Sequence, residues 1–215
     1  MKIWNGGVYR ACADGAANML QVLVRDRCVK LPQLLCGDFD SITSEALHFF
    51  KENGVVVKET PDQDYPDIWK ALKLMANTIN QKNLKIEHLV ILGGLSGRID
   101  HTLSSFDALL RFHSICDCPV FIIDDINLVT LLHKGTTVIY LDNHEPYLTG
   151  IAGFMPLCQK PTTVTSVGFK WNLENASLEY GGCISVSNKI EADTVCFQTN
   201  APLIFSLELS KNVLA

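Results

Sequence analysis

A chain of 215 residues, 47% hydrophobic and 19% charged, with a formal net charge of −5, has globular composition and room for one domain or two small ones. It has no basic run of the kind that neutralises nucleic-acid phosphates. No apolar stretch reaches the ~20 residues of a membrane-spanning helix or forms a signal-peptide core at the start. The eight cysteines lie mostly inside apolar runs, and the one close pair, Cys116-x-Cys118, lacks the second pair or histidine cluster of a zinc site. A cytoplasmic protein with reduced thiols is expected, with no nucleic-acid partner and no membrane association.

In chain order, residues 8–13 read as a strand ended by Asp14-Gly15 and followed by a helix over 16–24. Asp14 then sits at a strand's C-terminal tip, where open α/β sheets bind ligands. A plain helix N-cap is the competing role. Residues 34–40 form the next strand, and they end in Gly37-Asp38-Phe39-Asp40-Ser41. Alternate side chains of an extended backbone share a face, so Asp38 and Asp40 are expected to aim two hard oxygen ligands at one point. An ordinary polar turn would use the same residue types. Ser41 is expected to cap a helix carrying Ala46, Phe49 and Phe50 and closed by Gly54, with a short strand over 55–57.

The stretch Thr60-Pro61-Asp62-Gln63-Asp64-Tyr65-Pro66-Asp67 leads into a helix with Ile68, Leu72, Met75, Ala76 and Ile79 on one face. Acids favour a helix N-terminus for dipole reasons alone, which accounts for Asp62 and Asp64 without a ligand. Asp67 and Lys70, three apart, fall on one side of that helix, as a surface ion pair or as part of a site with the earlier acids. Residues 89–92 form an apolar strand running into Gly93-Gly94-Leu95-Ser96-Gly97-Arg98-Ile99-Asp100. That turn brings backbone N–H groups toward an anion. It lacks the Gly-Lys-Ser/Thr ending of a P-loop, but Arg98 can clamp phosphate and Asp100 adds another carboxylate. Strands over 120–123 and 128–132 follow. Beyond residue 134 helical periodicity stops, and alternating stretches over 137–141, 150–157, 162–169, 176–180, 194–199 and 203–209 read as an all-β domain.

Taken together, Ala13-Asp14-Gly15, Gly37-Asp38-Phe39-Asp40-Ser41, Thr60-Pro61-Asp62-Gln63-Asp64 with Asp67 and Lys70, Gly93–Arg98, Lys170-Trp171-Asn172-Leu173 and Ser185-Val186-Ser187-Asn188 resemble the thiamin pyrophosphokinase family of eukaryotes, from about Arg10 to Leu209. The resemblance implies a Rossmann-like α/β catalytic domain over 1–133 and a C-terminal β-sandwich over 134–215. It implies transfer of pyrophosphate from ATP to thiamin, with Mg²⁺, in a homodimer whose sites lie at the subunit interface. Asp38, Asp40 and Asp67 are the implied metal ligands and catalytic acids, with Asp64 and Asp100 beside them. Asp14, Lys70, Gly94, Gly97 and Arg98 are implied on the nucleotide side, and Gln63, Trp171, Ser187 and Asn188 on the thiamin side. Trp171 as an ordinary core residue of the β domain is the alternative.

Against the family pattern, which usually has a further strand and helix ahead of the Asp14 strand, only Met1–Gly7 stand there, and an uncovered sheet edge or core face is expected. Ala16 replaces a second glycine, Met19 replaces an arginine that is often present, and Tyr65-Pro66-Asp67 replaces His-Thr-Asp. Proline there pushes Tyr65 out of helical geometry. A catalytically impaired homologue that still binds thiamin or nucleotide is the second reading, ahead of an aspartyl-phosphate phosphatase or a nucleotide-sugar transferase.

Overall fold

The computed structural model describes residues 2–141 and 147–211. They form two compact units, Met1–Glu87 with Leu103–Asp117, and His88–Thr102 with Cys118–Ala215.

The first unit is built on β1 (Ala11–Ala13), β2 (Leu34–Gly37) and β3 (Val56–Glu59), a parallel sheet in the order β1-β2-β3. Helices α1 (Lys2–Gly6), α2 (Ala16–Arg25), α3 (Ser44–Glu52) and α4 (Asp67–Gln81) belong to it, and α5 (Ile99–Phe112) begins in the second unit and ends in the first. All four residues of β2 are buried, as a central parallel strand covered on both faces requires. Cys12, Ala17, Leu20, Leu35, Phe50 and Val55 form the core, and Trp4 packs against it. The indole N–H of Trp4 donates to the Lys30 carbonyl at 2.8 Å, so α1 is tied to the loop before β2. The α3 cap is Thr43 rather than Ser41: its hydroxyl accepts from the Ala46 N–H at 3.2 Å, and Ser41 serves the acidic cluster described below.

Among the described residues the second unit holds ten strands: β4 (Leu89–Leu92), β5 (Val120–Ile123), β6 (Asn127–Leu132), β7 (Gly135–Tyr140), β8 (Leu148–Pro156), β9 (Thr162–Val167), β10 (Ala176–Leu178), β11 (Ser185–Lys189), β12 (Thr194–Thr199) and β13 (Leu203–Leu209). A six-stranded sheet runs β11-β8-β13-β6-β5-β4 and a four-stranded one β10-β9-β12-β7. Both line one core, where Phe154 and Phe205 of the larger sheet meet Phe197 of the smaller at centroid distances of 5.3 and 5.0 Å. Edge-on ring pairs of this kind add about 0.5–1.5 kcal/mol beyond their buried area.

Strands β4, β5 and β6, read within the α/β domain over 1–133, belong to the larger sheet. The Asp124 carboxylate accepts the N–H groups of Ile126 and Asn127 at 2.8 and 2.6 Å. This Asx turn reverses the chain, so β6 runs antiparallel to β5 and pairs with β13 from Asn127 to Leu132. The division expected at 133/134 thus falls between β6 and β7, inside the second unit. Strand β11 has no place among the alternating stretches read above, because a bulge between Ser185 and Asn188 breaks its period. No described helix is long and apolar enough to cross a membrane.

Candidate active site

Asp14 follows β1, Asp38 follows β2, and Asp67 opens α4. Parallel pairing brings the first two strands' C-terminal ends to one edge of the sheet. The three carboxylates offer oxygens that all lie within 4.8 Å of one another. Gly37 makes this approach possible. A Cβ added there would stand 2.6 Å from the Cβ of Asp14, and its φ of +153° is one that side chains rarely adopt. Gly37→Ala is therefore expected to cost about 1–3 kcal/mol of stability through overpacking and to force Asp14 away from Asp38, so activity should fall more steeply than the folded fraction measured by circular dichroism.

The backbone turns between Asp38 and Asp40. β2 ends at Gly37, and Phe39 has φ +63°, so the chain leaves the extended state before Asp40 and strict alternation of side chains fails. Asp40 stands exposed at the rim, its Oδ1 accepting the Ser41 hydroxyl at 2.7 Å. That hydrogen bond leads the influences that hold the Asp40 carboxyl below its usual range, and Asp14 and Asp38 are close enough to contribute. Asp14 takes the central place. It is 4% exposed, with φ +29°, a strained conformation of the kind that costs about 1–3 kcal/mol and collects at functional sites. Its Oδ2 accepts the Ser41 N–H at 3.2 Å, and its buried Oδ1 has no hydrogen-bond partner. Burial first, and then the charge of Asp67, push the Asp14 carboxyl above its ordinary range.

Lys70, 8% exposed, is the cation inside this cluster. Its Nζ lies 2.6 Å from Asp67 Oδ1 and 3.6 Å from Asp38 Oδ2, and it donates to the carbonyls of Thr60 and Asp62 at 3.2 Å each. Burial pulls its pKa down, but Asp67 and Asp38 more than offset that and leave it raised. The ammonium thus pins the 60–62 segment to the acids. Gln63 is positioned with it, its amide donating to Asp38 Oδ2 at 3.0 Å. Lys70→Met would leave the partly buried Asp38 and Asp67 without their cation, at a cost below the roughly 3–5 kcal/mol of a fully buried pair. We expect a lowered thermal midpoint that added Mg²⁺ partly restores, whereas a midpoint equal to wild type in chelator would remove this role.

Asp64 is not in the cluster. It is exposed, and its N–H is held by Asp62 Oδ1 at 2.9 Å in a turn. Pro66 stands at the N-cap of α4 in an extended conformation, and Tyr65 lies under Arg111, whose guanidinium is 5.7 Å from the ring centroid.

The glycine-rich turn lies in the second unit, with Gly93, Gly94 and Gly97 at φ +89°, +90° and +87°. Arg98 and Asp100 are exposed and form a bidentate ion pair, with Arg98 Nε 3.1 Å from Asp100 Oδ1. Each shifts the other: the Arg98 pKa is raised and the Asp100 carboxyl held low. An incoming phosphate would have to compete with Asp100 for this guanidinium. In the same unit Trp171 is 56% exposed and so is no core residue, while Asn188 is buried and Ser187 exposed.

Three carboxylates around one ammonium, with an orphaned buried oxygen among them, make a net negative cluster of hard oxygens. This donor set suits a divalent cation that also binds phosphate. Two family descriptions match this chain, one after the other. The description "Thiamin pyrophosphokinase, catalytic domain" matches residues 1–122 and "Thiamin pyrophosphokinase, vitamin B1 binding domain" matches residues 137–204.

The chain belongs to the thiamin pyrophosphokinase family.

Thiamin pyrophosphokinase 1 of Caenorhabditis elegans is 38% identical over 207 residues, covering 96% of this chain and 82% of that protein. Thiamine pyrophosphokinase 1 of Oryza sativa is 30% identical over 220 residues, covering 96% of this chain and 81% of that one. Among solved structures, yeast thiamin pyrophosphokinase superposes with a TM-score of 0.86 at 24% identity, covering 99% of this chain and 82% of that one. The enzyme from Candida albicans gives 0.82 at 22%, covering 97% and 84%. These likenesses fix the mixed α/β fold. Within the thiamin pyrophosphokinase frame, sequence reasoning placed Asp14 on the nucleotide side and missed Gly37. The signal for both was present, since Asp14-Gly15 and Gly37-Asp38 end neighbouring strands, but the contact between Gly37 and Asp14 lies across the sheet.

Proposed function

We propose that Asp14, Asp38 and Asp67 hold Mg²⁺ on the phosphates of ATP while this chain transfers pyrophosphate to thiamin. The observation that carries these roles is the triad around Lys70, two of its acids partly buried and Asp14 fully so, with the orphaned Oδ1 of Asp14. In the reaction the hydroxyethyl oxygen of thiamin bonds to the β-phosphorus of ATP, the bond from that phosphorus to the α,β-bridging oxygen breaks, AMP departs and the hydroxyl proton is lost. Bound Mg²⁺ would supply charge neutralisation of the phosphate oxygens. Transfers of this type need positioning and electrostatics rather than covalent help. Asp40, kept ionised at the rim, adds to the negative field that draws in the cation. Gly94 and Gly97 would present N–H groups to the phosphates, and Arg98 would exchange Asp100 for a phosphate oxygen. Gln63 and Trp171 would hold the thiamin rings, with Ser187 beside them. The impaired-homologue reading is disfavoured, because Asp14, Asp38, Asp67 and Lys70 are all present and gathered. The eight free thiols accord with a cytoplasmic setting.

We further infer a homodimer in which the acids of one chain work with Trp171 of the other. An indole that is half exposed on a polar surface is a candidate platform for a flat cation. The test is release of AMP from ATP with thiamin and Mg²⁺, first for the wild type, then for mixed Asp38→Asn and Trp171→Ala variants. At thiamin concentrations well below the raised KM of Trp171→Ala, mixed subunits should regain part of the activity that each variant lacks. Activity in the wild type with no recovery after demonstrated subunit exchange would put both residues of each site in one chain, and no AMP release at all would overturn the enzymatic roles.

A further inference from the structure

We infer that Asn188, expected to line the thiamin pocket, is instead the positioning residue that fixes Trp171. This rests on the reading of Trp171 as a thiamin-stacking residue. At 2% exposure the Asn188 side chain has no surface to offer a ligand. Its amide is spent on the backbone of Trp171: Oδ1 accepts the Trp171 N–H at 3.2 Å and Nδ2 donates to the Trp171 carbonyl at 2.9 Å. One planar amide therefore grips the residue through both its N–H and its C=O, which sets the direction in which the indole leaves the backbone. Oδ1 also accepts the Lys189 N–H at 2.8 Å, anchoring the grip in β11.

The neighbouring segment is held in the same register. Lys170 N–H donates to the Lys189 carbonyl at 2.8 Å, Phe169 bridges to Ile190, and the Asn172 side chain accepts the Phe169 N–H at 3.0 Å. Lys170 Nζ lies 4.7 Å from the Trp171 ring centroid. An exposed indole on a short connection would otherwise lose orientational freedom only on binding, and fixing it beforehand removes that cost from the affinity.

The bulge explains why Asn188 can do this. Ser185 pairs with Phe154 and Asn188 with Ala152, three steps along β11 against two along β8. Ser187, at φ +55°, absorbs the extra residue. The frame shift puts Asn188 on the buried face with Ala152 and leaves Val186 and Ser187 outward. There they line a depression of about 180 Å³ with Ile151, Gly153 and Ser206. Bulges of this kind re-aim a side chain beside a functional site.

The experiment uses the intact protein labelled with 5-fluorotryptophan. Its three tryptophans, Trp4, Trp69 and Trp171, give three fluorine resonances, and Trp171→Phe assigns one of them. Asn188→Ala should shift or broaden the Trp171 resonance alone. It should raise the thiamin KM roughly 5- to 30-fold, the worth of a desolvated cation–π contact, with the ATP KM unchanged. Asn188→Asp keeps an oxygen for both N–H groups but loses the donors to the Trp171 carbonyl and to Ser185 Oγ and sets a carboxylate oxygen against that carbonyl, so it too should move the Trp171 resonance and serves if the alanine variant does not fold. In the unaltered protein the Trp171 N–H should exchange slowly with solvent. A Trp171 resonance unmoved in the folded variants, or a fast-exchanging Trp171 N–H, overturns the positioning role. If the resonance moves while Asn188→Ala and Trp171→Ala both leave the thiamin KM unchanged, the grip stands and the stacking reading of Trp171 falls.

Discussion

Asp14→Asn is expected to cost activity as heavily as Asp38→Asn or Asp67→Asn, and at the same time to raise the thermal midpoint of the metal-free protein. Loss of an outer-shell partner at a metal site commonly costs roughly 10- to 100-fold in affinity or activity, and removing a ligand charge should exceed that. The stability effect has the opposite sign. Asn keeps an oxygen for the Ser41 N–H but carries no charge, and burial and Asp67 penalise the charged form of Asp14. At neutral pH the wild type bears that penalty and the variant does not. As pH falls through the carboxylate range, wild-type Asp14 takes up a proton and the difference disappears. Mg²⁺ should then raise the midpoint of the wild type more than that of Asp14→Asn. Thermal unfolding with and without chelator, beside the AMP assay, reads all of this, and an Asp14→Asn enzyme of near wild-type activity would remove Asp14 from the metal site.

The second large effect concerns thiamin alone. Trp171→Ala should raise the thiamin KM roughly 5- to 30-fold, as loss of about 1–2 kcal/mol of cation–π contact implies, and leave the ATP KM close to wild type. The thermal midpoint should barely move, because an exposed side chain contributes within about 0.5 kcal/mol when truncated; a core tryptophan would cost about 3–5 kcal/mol and drag both substrates down as the fold failed. The exposure of Trp171 already separates these cases structurally. A matched rise in both KM values with a lowered midpoint would return it to the core.

Much of the fold was legible because period and punctuation are local. The helical spacing of Leu72, Ala76 and Ile79 and the alternation of residues 194–199 each mark an element closely, while the strand read over 34–40 begins where β2 does and ends three residues earlier, at Gly37. The chemistry-bearing types were legible for the same reason, since carboxylates and glycines gather at strand ends. Partnership was not legible. Strands β4, β5 and β6 carry nothing in their own residues that says which sheet they join; a single Asx turn at Asp124 and pairing with β13, some seventy residues on, decided it.

The sequence by itself determined that Asp14, Asp38, Asp67 and Lys70 stand at strand tips and a helix start, because those positions follow from hydrophobic period and turn chemistry within a few residues. Only the tertiary structure decided which carboxylates meet. Phe39 turns left-handed and leaves Asp40 exposed beside Asp14 and Asp38, while Gly37, by having no side chain, admits Asp14 from the neighbouring strand. Likewise only the bulge in β11 decided that Asn188 faces inward to hold Trp171. A backbone angle and a steric vacancy across a sheet are set by what packs beside them, and no spacing along the chain records that.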